Sequence, residues 1–138
     1  MGLILDTSVI IAAERGALDM PALLNSVGDE TVAIAAVTAS ELLYGCHRAS
    51  TAALRARRFA FVEALLQRLP AIPFGVTEAR AHAELWAHLA HGGRTIGPHD
   101  LIIGATAVAN GHELATLNTR EFRRVPGLNL VPLSHFKP

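Results

Sequence analysis

The chain reads as an α/β protein, a central parallel sheet with helices on both faces, and three observations predict this. Short apolar runs recur at 3–5, 32–35 and 113–117. Segments with apolar residues at helical spacing lie between them, bounded by cap and glycine signals. Strands with no polar face need cover on both sides, and an alternation of strands with helices supplies it.

The elements follow in order. Leu3-Ile4-Leu5 is a buried strand ending at Asp6-Thr7-Ser8, an N-cap signal, and a helix opens on Val9-Ile10-Ile11. Val32 to Ala35 is a second buried strand. Thr38-Ala39-Ser40-Glu41 has the form of a capping box and starts a helix ending between Gly45 and Ser50. Residues 51–69 place Leu54, Phe61, Val62, Leu65, Leu66 and Leu69 at helical spacing. Ala71-Ile72-Pro73-Phe74 suits an edge strand, because proline removes a ladder donor. Residues 76–91 form an amphipathic helix with a stripe of Ala79, Ala83, Trp86 and Ala90, closed by Gly92-Gly93. Gly97-Pro98-His99-Asp100 opens a nearly all-apolar helix through Val108, with proline in its first turn. Glu113 to Leu117 is a third central strand, Asn118 to Phe122 starts a short helix, and Leu128 to Val131 is a last strand.

With 138 residues and neither repeat nor linker, the expected organisation is one domain, 1–138. At 51% hydrophobic and 17% charged, the composition is that of a folded chain. No apolar run approaches the ~20 residues of a membrane-spanning helix. The N-terminus lacks a basic start, Asp6 interrupts any signal core, and the lone Cys46 has no disulfide partner. Together these predict a cytoplasmic protein. A formal net charge of zero argues against nucleic-acid binding by bulk electrostatics. Eleven Arg stand against one Lys. Arg forks suit phosphate, and the Ala-rich composition accounts for the same bias.

The chemistry gathers at one place. In an open parallel sheet, ligands sit beyond the carboxyl ends of the strands. Asp6 follows the first strand, Glu41 lies beyond the second, and Asn118 follows the third; Asp100 opens the helix leading into that third strand. Taken singly, each is explained by capping or by the helix dipole. Jointly, the acids at one end of one sheet repel each other, and a divalent cation resolves the conflict. Hard oxygen donors without a His/Cys pair point to Mg²⁺ or Mn²⁺. Other candidates are weaker: Cys46 and His47 are adjacent and face different ways on a helix, and no phosphate-binding glycine loop is present.

Four motifs in register give a resemblance. Leu5-Asp6-Thr7-Ser8, Ser40-Glu41-Leu42-Leu43-Tyr44-Gly45, Gly97-Pro98-His99-Asp100 and Thr116-Leu117-Asn118-Thr119-Arg120-Glu121-Phe122 are similar to those of the PIN-domain family, and within it the VapC toxins of bacterial toxin–antitoxin pairs. The resemblance implies a three-layer α/β/α fold and Mg²⁺-dependent endoribonuclease activity. It also implies homodimerisation and inhibition by a cognate VapB-type antitoxin. Asp6, Glu41 and Asp100 match the family's first three acids; Asn118 stands where many members carry a fourth, which puts a second metal in question. Glu121, three residues on, is either a partial substitute for that charge or a solvated first-turn acid.

The expected reaction is metal-assisted phosphodiester hydrolysis. Asp6 and Asp100 are the first choices as direct ligands. Glu41 either binds through water or orients the nucleophile, and Ser8 holds a carboxylate or a water behind them. The rival enzyme, a phosphohydrolase with Asp6 as nucleophile, needs a second acid where Ser8 stands. A degenerate module that only binds a partner and a DNA-directed nuclease are the alternatives.

Overall fold

The computed structural model describes residues 2–138; Met1, at the head of the non-basic N-terminus, lies outside the described residues. Strand β1 (Leu3–Leu5) is the organising element, with all three residues fully buried. Its side chains alternate between two cores. Leu3 and Leu5 join Val9, Ile10, Leu23 and Ile34 on one face of the sheet. Ile4 joins Leu101, Ile103, Leu114 and Phe122 on the other. A strand with period-two side chains buried on both faces requires two covering layers, and the result is the expected three-layer α/β/α arrangement.

The remaining elements, in chain order, are α1 (Thr7–Glu14), α2 (Met20–Ser26), β2 (Val32–Ala35), α3 (Ala36–His47), α4 (Ala52–Arg68), β3 (Ala71–Ile72), α5 (Val76–His91), α6 (Pro98–Ala109), β4 (Glu113–Ala115) and α7 (Thr119–Phe122). A short 3-10 turn, Ser134–Phe136, follows. The sheet order is β3-β2-β1-β4, all parallel. The chain moves outward from β1 through β2 to β3 and then returns across the sheet to β4. The order therefore reverses beside β1, and the crevice at the carboxyl ends of β1 and β4 is the topological switch point.

Several elements differ from the sequence reading. Helix α2 was not anticipated; Asp19 caps it by accepting the Ala22 amide at 3.1 Å, with Pro21 in its first turn. Strand β3 stops before Pro73, and β4 stops at Ala115. Beyond β4, side chains take over the backbone donors: Ser8 Oγ accepts the Leu117 amide (3.1 Å) and Thr116 Oγ1 accepts the Asn118 amide (2.9 Å). The expected last strand shrinks to a single parallel bridge, Leu114 to Leu130, enclosed by Pro126-Gly127 and Pro132. Helix α3 begins at Ala36, so Thr38 lies inside it, fully buried, and the expected capping box does not form.

The buried face of α5 is also rotated from the expected stripe. Glu78, Leu85 and Leu89 face inward while Trp86 is 60% exposed. The reason is polar: the Glu78 carboxylate is satisfied inside, accepting the Gly75 amide (2.9 Å) and the Asn110 amide group (3.1 Å). It thereby ties the start of α5 to the end of α6. The backbone amide of Glu78 itself, foremost, and then the Asn110 and Gly75 donors outweigh the desolvation of its side chain and hold its carboxyl below the usual range. A depressed carboxyl contributes stability that is present above its ordinary pKa and lost as pH falls through the folded value. Glu78→Ala is expected to cost about 1–3 kcal/mol at neutral pH, and urea titrations should show that gap closing in acid.

Candidate active site

The switch point places Asp6 where β1 ends. Its backbone amide still donates to Ala115 O (2.9 Å), so the residue is registered against β4. Asp6 holds the N-cap position of α1, yet its side chain makes no cap bond. The carboxylate is instead 3% exposed, and its Oδ2 accepts the Ser8 hydroxyl (2.6 Å) and the Thr116 hydroxyl (2.7 Å). Both hydroxyls use one oxygen, which leaves Oδ1 available to a cation or water.

Glu41 arrives from the second turn of α3 and not from its start. Its Oε1 accepts the Thr7 hydroxyl (2.7 Å), and that hydroxyl oxygen is 3.1 Å from the buried Thr38 Oγ1. Its Oε2 is 3.4 Å from His99 Nδ1. Asp100, in the first turn of α6, accepts the Asn118 side-chain amide at Oδ2 (3.0 Å). The same Asn118 nitrogen lies 3.4 Å from Glu121 Oε2. Asn118 thus presents donors to two acids, and like Asp6 it holds an N-cap position without a side-chain cap bond.

Electrostatics shows that these acids share one field. The Asp100 carboxyl is raised to about 6, first by burial, then by the charges of Asp6, Glu121 and Glu41, with the Asn118 hydrogen bond opposing. The four residues named from the sequence and Glu121 therefore converge from β1, α3, α6 and the segment after β4. A cavity of about 700 Å³ opens beside them. Thr7, Ser40, Glu41 and His99 line it, while Asp6, Asp100 and Asn118 stand outside its lining.

The sequence reading missed Thr7, Thr38 and Thr116, buried hydroxyls that fix the two inner carboxylates. The available signal was hydroxyl residues directly after two adjacent strand ends, Thr7-Ser8 after β1 and Thr116 after β4. Among the described residues no buried side-chain polar atom is left without a partner.

The donor set fits a hard divalent cation. The convergent acids offer only oxygens, and burial together with mutual repulsion already opposes the ionised state of Asp100. No three His, Cys, Asp or Glu side chains among the described residues stand close enough to enclose an ion. Mg²⁺ asks for less, since it keeps several waters and takes one or two carboxylates.

A family model described as PIN domain matches residues 3–128. A protein named Ribonuclease VapC from Rickettsia bellii is 38% identical over 135 residues, covering 96% of this chain and 98% of its own. A tRNA(fMet)-specific endonuclease VapC from Shigella flexneri is 35% identical over 95 residues, 69% of this chain and 70% of that one. Among solved structures, a chain in the crystal structure of VapBC2 from Rickettsia felis bound to a DNA fragment from their promoter superposes with a TM-score of 0.86 at 28% identity, covering 95% of this chain and 98% of that one. With a matched family model over nearly its whole length and the acids gathered at the switch point of the sheet, the chain belongs to the PIN-domain family, among relatives of the VapC kind.

Proposed function

We propose that the protein is a Mg²⁺- or Mn²⁺-dependent endoribonuclease, the toxin of a VapBC-type pair. The observation that carries this reading is the convergence of Asp6, Glu41 and Asp100 at the carboxyl ends of the parallel strands, where burial first and then the neighbouring carboxylates raise the Asp100 carboxyl to about 6. Asp6 and Asp100 would hold the cation. A bound cation lowers the pKa of its water and offsets charge on the phosphate.

The chain's own groups prepare that chemistry. Ser8 and Thr116 lock the Asp6 carboxylate in one rotamer, and Thr7 does the same for Glu41. Glu41 keeps Oε2 free of the Thr7 bond, so this oxygen orients the attacking water. Asn118 holds Asp100 beside Glu121 against their repulsion. No side-chain nucleophile is required.

Partners follow from the same reading. The toxin–antitoxin complexes among the similar structures support binding of a cognate VapB-type antitoxin. Exposed Phe74 and Trp86 flank His82 in a continuous aromatic row along α5, and this surface supports a homodimer. No helix among the described residues is long and apolar enough to cross a membrane. An RNA substrate and a lone buried cysteine fit action in the cytoplasm. Purified protein should cleave RNA with added Mg²⁺ or Mn²⁺, lose that activity to a chelator, and regain it on metal addition. Cleavage that persists in excess chelator would overturn the metal-dependent mechanism, and no cleavage at any metal concentration would overturn the nuclease reading.

A further inference from the structure

Tyr44 is 62% exposed, so the hydrophobic core does not account for it. It lies on α3 three residues after Glu41, on the same helix face, and both line the 700 Å³ cavity. Arg48, one turn further, sets its guanidinium carbon over the Tyr44 ring, 5.4 Å from the centroid. Arg58 lines the same cavity and donates to Gly45 O (3.0 Å), which holds its guanidinium beside α3. An aromatic face paired with Arg, in a cavity continuous with an acid of the active site, has the chemistry of a base-stacking platform.

We propose that the Tyr44 ring, backed by Arg48, stacks a base of single-stranded RNA next to the scissile phosphate; this rests on the ribonuclease reading. Charge supplies the second argument. The chain has zero formal net charge and gathers carboxylates at its site, so bulk attraction to a polyanion is absent. Affinity must then come from local Arg contacts and from stacking, which is indifferent to net charge. Stacking needs an unpaired base, so the platform selects loops and single strands over duplex. Because every base offers a π face, Tyr44 contributes affinity and register more than sequence choice.

Initial rates on short single-stranded oligoribonucleotides at saturating Mn²⁺ test this. Tyr44→Ala is expected to raise KM about tenfold with kcat nearly unchanged, the signature of lost uniform binding. Tyr44→Trp should restore KM, while Tyr44→Gln, which keeps bulk without the π face, should behave like Tyr44→Ala. An abasic position walked along the strand should cost the unsubstituted protein a similar factor at one step and cost Tyr44→Ala nothing further there. Tyr44→Gln with an unchanged KM overturns the stacking role and leaves the ribonuclease reading standing. Weakened binding of an antitoxin peptide with unchanged RNA kinetics also overturns it, assigning Tyr44 to a protein contact. Absence of cleavage by the unsubstituted protein removes the ribonuclease reading itself.

Discussion

Asp100→Asn is expected to lower RNA cleavage by on the order of 10³-fold, the scale set by losing an electrostatic group at the reacting phosphate. The same substitution should make the metal-free protein more stable above about pH 6. The sign follows from the raised carboxyl. Asp100 titrates at about 6 in the folded chain against an ordinary 3.8, because burial and the charges of Asp6, Glu121 and Glu41 oppose its ionisation. The folded state therefore carries a penalty that is absent below the ordinary value, grows between the two values and is complete above about 6. Asn removes the charge and nearly preserves the shape. Asp6→Asn should lose activity to a similar degree without the same gain, because a neutral amide oxygen accepts the Ser8 and Thr116 hydroxyls more weakly than the charged Oδ2 does. Rates paired with thermal unfolding in chelator give the readout. Full activity in Asp100→Asn would end its assignment as a ligand.

Much of this arrangement was legible in the sequence, for reasons that differ by residue. β1 and β2 were readable because both their faces are buried, so neither strand carries a polar residue to blur the signal. Asp6 and Asp100 were readable because acids follow a strand end and open a helix there. The start of α3 was not, because a capping box is a local pattern: Thr38-x-x-Glu41 fits one, yet Thr38 is buried next to Thr7, 31 residues away in sequence. The buried face of α5 was misread on hydropathy alone. Glu78 counts as polar in any periodicity, and only the distant Asn110 and the Gly75 amide make its burial favourable. The hydroxyls around Asp6 were hidden likewise, since Thr116 meets Asp6 across 110 residues. The last strand failed for the converse reason. Leu128 to Val131 carries the apolar pattern of a strand, but it meets β4 at a single bridge and its continuation is blocked by Pro132.

Mn²⁺ affinity of the RNA-free protein should fall about tenfold for each pH unit below about 6 and level off above it, because a cation must displace the proton on Asp100 before that oxygen can bind. The break belongs to the cluster, not to an isolated carboxyl. Asp6, Glu121 and Glu41 each raise Asp100, and the Asn118 amide alone among the named groups lowers it. Asn118 donates to Asp100 at 3.0 Å and lies 3.4 Å from Glu121, so it holds two acids together that would otherwise separate. Asn118→Asp exchanges that donor for another charge. The break should then move above 6, metal-free stability at neutral pH should fall, and affinity at about pH 8 should rise roughly tenfold as an added carboxylate faces the cation. With Asn118 in place, Mg²⁺ or Mn²⁺ needs only one or two carboxylates, so titration of the RNA-free protein should show one tight site, with any second site weak until RNA phosphate supplies oxygens. Calorimetric Mn²⁺ titrations from about pH 5 to pH 8, together with thermal unfolding in chelator, run on both proteins, measure all of this. A flat profile would remove Asp100 from the ligand set, and two equally tight sites in the unsubstituted protein would refute the one-metal arrangement; Glu121→Gln would then show whether Glu121 supplies the second.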